Sequence, residues 1–170
     1  MIAERLSSLR LRNILLAANV LMGVLVVYIF RTAHGDLGDY LPLADGILHG
    51  TYSMWYRLPV DIPDTFRNPG YPLFLALFRA IGPDLLWVQA AQVLLHALSV
   101  LLILRIVGRL GGLIAQNIFL LLLLPSINVL YFSTGIYPET PTMFFACLFL
   151  WCDTGMRNGW KRHVWMALCV

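Results

Sequence analysis

Side chains that could do chemistry follow directly on an uncharged apolar run at residues 13–30. Asp36, Asp39 and Tyr40 come just after this run, and Arg67 and Tyr71 flank a Pro-Gly turn further along the same segment. A carboxylate at the boundary of a low-dielectric medium tends to hold a proton, and a nearby cation opposes that tendency. Such a carboxylate suits a general base, whereas a guanidinium can pair with two oxygens of a phosphate. The combination predicts chemistry on a lipid-borne substrate that carries a phosphate.

Each of these charged residues also has a simpler explanation. Asp36 fits a solvated acid beside the membrane, Asp39 fits the N-cap of a short helix, and Arg67 fits an interfacial arginine that contacts lipid headgroups. Glu139 opens a later apolar run, where the helix macrodipole alone favours an acid. An acid at the mouth of a membrane helix is nevertheless a functional candidate. Spacing alone leaves both explanations open for all four residues.

No cofactor is certain from the sequence. His34 and His49 lie near the acids, but their spacing matches no metal-ligand motif. A divalent metal therefore stays open, and no metal ligand is assigned.

The composition indicates that membrane helices hold these residues in place. Hydrophobic residues make up 59% of the 170, charged residues make up 12%, and the mean hydropathy is +0.76. Soluble domains carry about 25% charged residues, so we expect an all-α integral membrane protein with membrane lipids as partners. Neither a basic stripe nor a nucleic-acid motif occurs, which argues against nucleic acid as a partner.

Charge-free windows predict four transmembrane helices and the start of a fifth. The spans are 13–30, 85–104, 110–131 and 140–156, with the fifth beginning at 164–170. The last piece is too short to cross ~30 Å of hydrocarbon at ~1.5 Å per residue. We therefore expect 1–170 to be the N-terminal part of a larger membrane domain, completed by further helices or by a partner membrane subunit.

The charge distribution predicts the orientation. With a cytoplasmic N-terminus, eight of the 12 lysines and arginines fall on the cytoplasmic side. The loop at 31–84 is then extracytoplasmic, and the protein is a multi-pass protein of the cell (inner) membrane. Within this loop we expect interfacial helices. One is predicted from residues on a single helical face, ending near Gly50: Tyr40, Leu43, Ala44, Ile47 and Leu48.

The second predicted span contains polar residues. Gln89, Gln92 and His96 lie within it. Side chains of this kind form hydrogen bonds between membrane helices. A path through a small transporter is the weaker alternative, because no inverted repeat or pair of broken helices is visible.

The motifs follow one another in a characteristic order. Asp36-x-x-x-Tyr40 is followed by Leu43-Ala44, by Gly50 and by Arg67-Asn68-Pro69-Gly70-Tyr71-Pro72, and Tyr137-Pro138-Glu139 comes later. This order resembles the N-terminal region of GT-C membrane glycosyltransferases, over residues 10–170. The likeness is strongest to the bacterial branch related to protein O-mannosyltransferases and to the aminoarabinose transferase of lipid A.

The resemblance implies transfer of a sugar, with inversion, from a polyprenyl-phosphate donor to an acceptor hydroxyl at the extracytoplasmic membrane face. It implies that Asp36 is the catalytic base, that Glu139 is a second acid of the site, and that Arg67 contacts the donor phosphate. We also expect Asp39, Tyr40 and Tyr71 to bind substrate. Arg67-Asn68-Pro69 stands where the aminoarabinose branch has Lys-Pro-Pro, so the metal-binding pattern of that branch is not carried over. The chief alternative is a non-catalytic membrane scaffold, subunit or lipid-binding protein.

Overall fold

The fold is helical throughout the part of the chain that the structure describes. The computed structural model describes residues 8–29, 35, 37–59 and 62–155. The helices are α1 (Leu9–Ile29), α2 (Leu37–Leu48), α3 (Gly70–Ile81), α4 (Leu86–Leu123), α5 (Ile127–Thr134) and α6 (Glu139–Gly155). Two of them, α1 over Leu9–Val26 and α4, are long and apolar enough to cross a membrane. The predicted start of a fifth span at 164–170 lies outside the described residues.

Helix α4 reverses direction at Gly112. This residue has φ 64° and ψ −157°, which only glycine adopts readily. Gln116 Nε2 donates a hydrogen bond of 2.8 Å to the carbonyl oxygen of Leu104, although a straight helix would separate these residues by ~18 Å. Leu104 and Leu120 also belong to one buried cluster. The two arms of α4 are therefore antiparallel, as the separate windows at 85–104 and 110–131 predicted.

The second arm of this hairpin is shorter than the predicted third span. Helix α4 ends at Leu123, and α5 begins at Ile127. Pro125 lies between them and has no backbone N–H to donate to the preceding turn, and Ser126 leaves the helical conformation with φ −80° and ψ 63°. The prediction of one continuous helix over 110–131 is therefore wrong, because hydropathy does not register a single proline.

Helices α2 and α3 form a unit outside the long helices. Leu43 and Ala44 of α2 are fully buried, and Ala44 packs with Leu75 and Ala76 of α3. The apolar face predicted for α2 therefore contacts protein rather than lipid, with Leu48 exposed at its end. The helix ends where predicted, since Gly50 follows with φ +83°. Asp39 lies in the first turn of α2 and is not its N-cap.

The long helices provide the surface on which this unit and α6 rest. Leu15 of α1 packs with Val100 and Leu104 of α4. Helix α6 packs along α4. Val88, near the start of α4, joins the buried cluster formed by α2 and α3. Through these contacts α4 holds the N-terminal ends of α3 and α6 near each other.

Candidate functional site

The loop before α3 is fixed by a turn centred on Asp64. The Oδ1 atom of Asp64 accepts backbone hydrogen bonds from Phe66 and Arg67, each 2.9 Å long. An aspartate that closes a turn in this way defines the path of the next few residues. The hydrogen bond from the Arg67 backbone, with that from Phe66 and the nearby Arg67 charge, holds the pKa of Asp64 below its usual range.

Tyr52 secures the same loop from the other side. Its hydroxyl donates a hydrogen bond of 2.7 Å to the carbonyl oxygen of Arg67. Burial, reinforced by the nearby charge of Asp64, raises the pKa of Tyr52.

The side chain of Arg67 bridges two carboxylates. Its Nη2 forms an ion pair with Asp39 of α2, and its Nη1 lies 3.3 Å from Oδ2 of Asp64. The hydrogen bond to Asp39, assisted by the charges of both acids, raises the pKa of Arg67. The side chain of Asp64 is 9% exposed, whereas that of Asp39 is 50% exposed. One partner of Arg67 is thus enclosed, and the other faces solvent.

A groove of about 1400 Å³ runs from this ion pair between α3 and α6. Its polar end is formed by Asp39, Tyr40, Arg67 and Asn68. The rest of its lining is mainly apolar, from α3 and α6: Leu73, Phe74, Leu77, Phe145, Ala146 and Phe149. A charged head joined to a long apolar wall is the shape and polarity that fits an amphipathic ligand such as a lipid with an ionic headgroup.

A buried amide connects the two sides of the groove. Gln92 of α4 is fully buried, and its Nε2 donates to the Tyr71 hydroxyl at 3.3 Å and to the Tyr137 carbonyl at 2.7 Å. Tyr71 in turn packs edge-to-face on Tyr40, with ring centroids 5.0 Å apart. The hydrogen bonds confirm that Gln92 links separate elements, as the polar residues of the second span predicted.

Four of the predicted site residues meet in this groove. Asp39, Tyr40, Arg67 and Tyr71 all line it. Glu139 is the first residue of α6 and is exposed, but it does not line the groove, although Pro138 and Pro141 on either side of it do. Its position in the first helical turn is favoured by the macrodipole.

Asp36 lies outside the described residues. Its neighbour Gly35 is described, with φ +125°, and forms a parallel backbone bridge to Ile136. A Cβ atom on Gly35 would lie 2.5 Å from the carbonyl oxygen of Ile136, so this close approach requires glycine. The chain just before Asp36 is thus joined to the segment that leads to Glu139.

Asp64 is not among the site residues predicted from the sequence. The signal for it was local: an aspartate three residues before an arginine, ahead of a Pro-Gly turn, is a typical turn-closing arrangement. No pattern in the sequence could indicate the pairing of Asp39 with Arg67, since this contact depends on how the loop returns to α2.

The described residues do not form an obvious metal site. No group of three or more His, Cys, Asp or Glu side chains among them could hold a metal ion. Asp39 and Asp64 converge on Arg67, and the guanidinium charge between them disfavours a second cation at that point. The divalent metal left open by the sequence has no ligand set in this part of the chain.

Comparison with known proteins yields no relative for this chain. No family model matches it, and neither a curated protein nor a solved structure matches it significantly.

Proposed function

We propose that this chain is the N-terminal membrane portion of a glycosyltransferase that transfers a sugar from a polyprenyl-phosphate donor to an acceptor hydroxyl at the extracytoplasmic membrane face. The proposal includes four to five spans, a cytoplasmic N-terminus and a location in the inner membrane. The sugar phosphate of the donor is assigned to the polar end of the groove and its prenyl chain to the apolar walls.

The observation that supports the proposal is the groove itself. Arg67 and Asp39 lie at one end, and the side chains of α3 and α6 continue from them as an apolar surface. A prenyl phosphate has one compact anionic head and one long hydrocarbon chain. Binding such a ligand requires a cationic group beside a long apolar wall, and the two occur together here.

Asp36 is proposed as the general base and Glu139 as a second acid. The backbone bridge between Gly35 and Ile136 supports this pairing, because it joins the chain segments that lead into the two acids. A prenyl phosphate is a good leaving group, so one base and cationic stabilisation of the phosphate are sufficient chemistry for transfer.

The decisive experiment measures transfer and donor binding separately in the full protein in liposomes. Asp36→Asn keeps the shape of the side chain and removes its basicity. We expect a rate loss of about 10²–10⁴-fold, with the affinity for the polyprenyl-phosphate sugar unchanged. Glu139→Gln should lose less activity than Asp36→Asn, because its proposed role is support.

Asp45→Asn is the matched control, since Asp45 is also a loop-side aspartate but does not line the groove. Near wild-type turnover of Asp36→Asn would remove the catalytic assignment. A wild-type protein that binds the donor lipid and transfers no sugar would favour the lipid-binding scaffold instead.

A further inference from the structure

The polar end of the groove contains its own anion. Asp39 forms an ion pair with Nη2 of Arg67 from an exposed position, with half of its side chain accessible. On the other side of the guanidinium, Nη1 is held by Asp64 at 3.3 Å and by the Met54 sulfur at 3.6 Å. One edge of Arg67 is thus fixed inside the loop, and the other edge faces the groove and is occupied by a carboxylate.

The two acids differ in how readily they could leave Arg67. Asp64 is 9% exposed and also accepts backbone hydrogen bonds from Phe66 and Arg67, so moving it would dismantle the turn. Asp39 can turn into solvent without unmaking any turn, because its backbone lies in the first turn of α2. An exposed ion pair of this kind contributes little to stability and is easily exchanged.

The charge balance decides what could occupy the groove. Arg67 with both carboxylates carries one net negative charge, which repels a phosphate. When Asp39 is displaced, Arg67 and Asp64 together are neutral, and a guanidinium edge becomes available to donate two parallel hydrogen bonds to a phosphate. A phosphate can therefore bind Arg67 well only where Asp39 was.

The start of α3 favours an anion at the same place. Helix α3 begins at Gly70 without a side-chain cap, and Gly70 lines the groove beside Arg67. Nothing lies within 4 Å of a Cβ built on Gly70, so the approach to this helix end is open. Helix N-termini attract anions through their backbone N–H groups and dipole.

We propose that Asp39 is an internal competitor that occupies the phosphate position on Arg67 and is displaced when a lipid phosphate enters the groove. This inference rests on the proposed function for the identity of the lipid. It assigns Asp39 the opposite effect on affinity from that of an ordinary substrate-binding residue: removing its charge should tighten phosphate binding, and more so than removing the equal charge of Asp64.

The test compares three carboxylate-to-amide variants of the full protein in lipid nanodiscs, with a polyprenyl phosphate lacking sugar as the probe. Asp39→Asn should bind about 3- to 10-fold more tightly than wild type, since one competing charge is removed. Asp64→Asn removes an equal charge but leaves Asp39 on the groove-facing edge of Arg67, so it should tighten binding less than Asp39→Asn does. Asp45→Asn should stay within about twofold, since its ion pair with Arg79 lies outside the groove.

Unchanged or weaker binding by Asp39→Asn would overturn the inference. Asp39→Ser provides a second test if the asparagine variant does not fold, and it should also bind more tightly than wild type. If the wild-type protein binds the donor and transfers sugar, the proposed function holds even when the Asp39 variants contradict the inference. A failure of the inference can therefore be told apart from a failure of the proposed function.

Two further probes identify the source of the phosphate. Phosphatidic acid carries a phosphate on acyl chains instead of a prenyl chain, and inorganic phosphate carries no hydrocarbon chain. Tightening by Asp39→Asn with the polyprenyl phosphate alone supports exchange with a prenyl lipid. Equal tightening with phosphatidic acid supports the exchange at Arg67 but contradicts the proposed choice of donor. No tightening with any of the three probes refutes the exchange.

Discussion

Two ion pairs connect α2 to the chain that follows it, and their surroundings differ. Asp45 meets Arg79 of α3 through both of its oxygens, at 3.0 and 3.3 Å, and this pair lies away from the groove. Asp39 meets Arg67 at the end of the groove, where Asp64 also holds the arginine. The first pair matches one acid with one arginine beside a smaller cavity of about 400 Å³, whereas the second includes an extra acid and faces the larger groove. A bridge that only joins elements needs one partner for each charge, and the extra acid beside the groove is the feature on which the proposed phosphate exchange depends.

The largest expected contrast between the two pairs is in ligand binding. Arg67→Ala should weaken polyprenyl-phosphate binding by about 10-fold or more, because charge-assisted bonds to a phosphate are among the strong ones. Arg79→Ala should leave this affinity within about twofold, although it removes the same charge from the same side of the molecule. Titration of both variants in nanodiscs measures the difference. Equal losses of affinity in the two variants would mean that both arginines act only through long-range electrostatic attraction. The proposed distinction between the two ion pairs would then be wrong.

A second contrast concerns two glutamines of α4, Gln92 near its start and Gln116 near its end. Gln92→Leu removes the bonds to Tyr71 and to the Tyr137 carbonyl, and should lower the free energy of unfolding by about 1–2 kcal/mol. It should also weaken lipid binding, because Tyr71 lines the groove. Gln116→Leu removes one bond to Leu104 within the α4 hairpin and serves as the matched control. We expect it to lower thermal stability without changing affinity; a change in affinity as large as that of Gln92→Leu would contradict the proposed role of Gln92.

Swapping the charges within each ion pair should affect the stability of the protein differently for the two pairs. Swapping Asp45→Arg with Arg79→Asp should recover most of the stability lost in either single variant, a coupling of about 0.5–1 kcal/mol, because the pair has no further charged partner among the described residues. Swapping Asp39→Arg with Arg67→Asp should not recover it, since the carboxylate introduced at position 67 would lie beside Asp64. Thermal unfolding of the single and double variants measures both couplings. Full recovery at the groove pair would show that Asp64 is unimportant to Arg67.

The smallest expected effect is the pH dependence of the stability of the loop before α3. The folded state holds the pKa of Asp64 below its usual range, so Asp64 contributes stability above the ordinary aspartate pKa of about 3.9 and loses it as pH falls through the lower folded value. The loop before α3 should therefore loosen below about pH 4. Hydrogen exchange at the backbone amides of Phe66 and Arg67 reports this, and Asp64→Asn should abolish the pH dependence. Unchanged protection of these amides down to about pH 2 would contradict the turn.

Features with a local cause were predictable from the sequence. The end of α2 at Gly50 and the burial of Leu43 and Ala44 follow from glycine conformation and from helical periodicity. The break before Ile127 was also local, but the hydropathy of the surrounding leucines concealed Pro125. The number of membrane spans, the orientation and the enzymatic activity remain predictions, and α1 and α4 are long and apolar enough to be two of those spans.

Features that depend on long-range contacts were not predictable. The partners of Arg67 come from 28 and three residues away, and only the nearer acid lies within the range of a turn motif. Tyr71 was expected to bind substrate, yet nothing in its surroundings in the sequence pointed to Gln92, which lies 21 residues further along. Such residues meet because the chain turns back on itself between them. The properties of the individual residues do not reveal which of them will meet.

The hairpin in α4 bears on the order in which the protein can assemble. Its two arms are joined by contacts over short stretches of chain, such as that between Leu104 and Gln116, and loops of this size close rapidly. The groove, in contrast, needs α3 and α6, whose facing residues Phe74 and Phe145 are separated by the whole of α4 and α5. Contacts of high sequence separation form late, and chain synthesis adds only about 5–20 residues per second. The hairpin can thus be complete while α6 is still being made, and the groove-facing side of α3 then lacks its partner helix. This interval, lasting some seconds, is when the nascent chain is most exposed to misassembly.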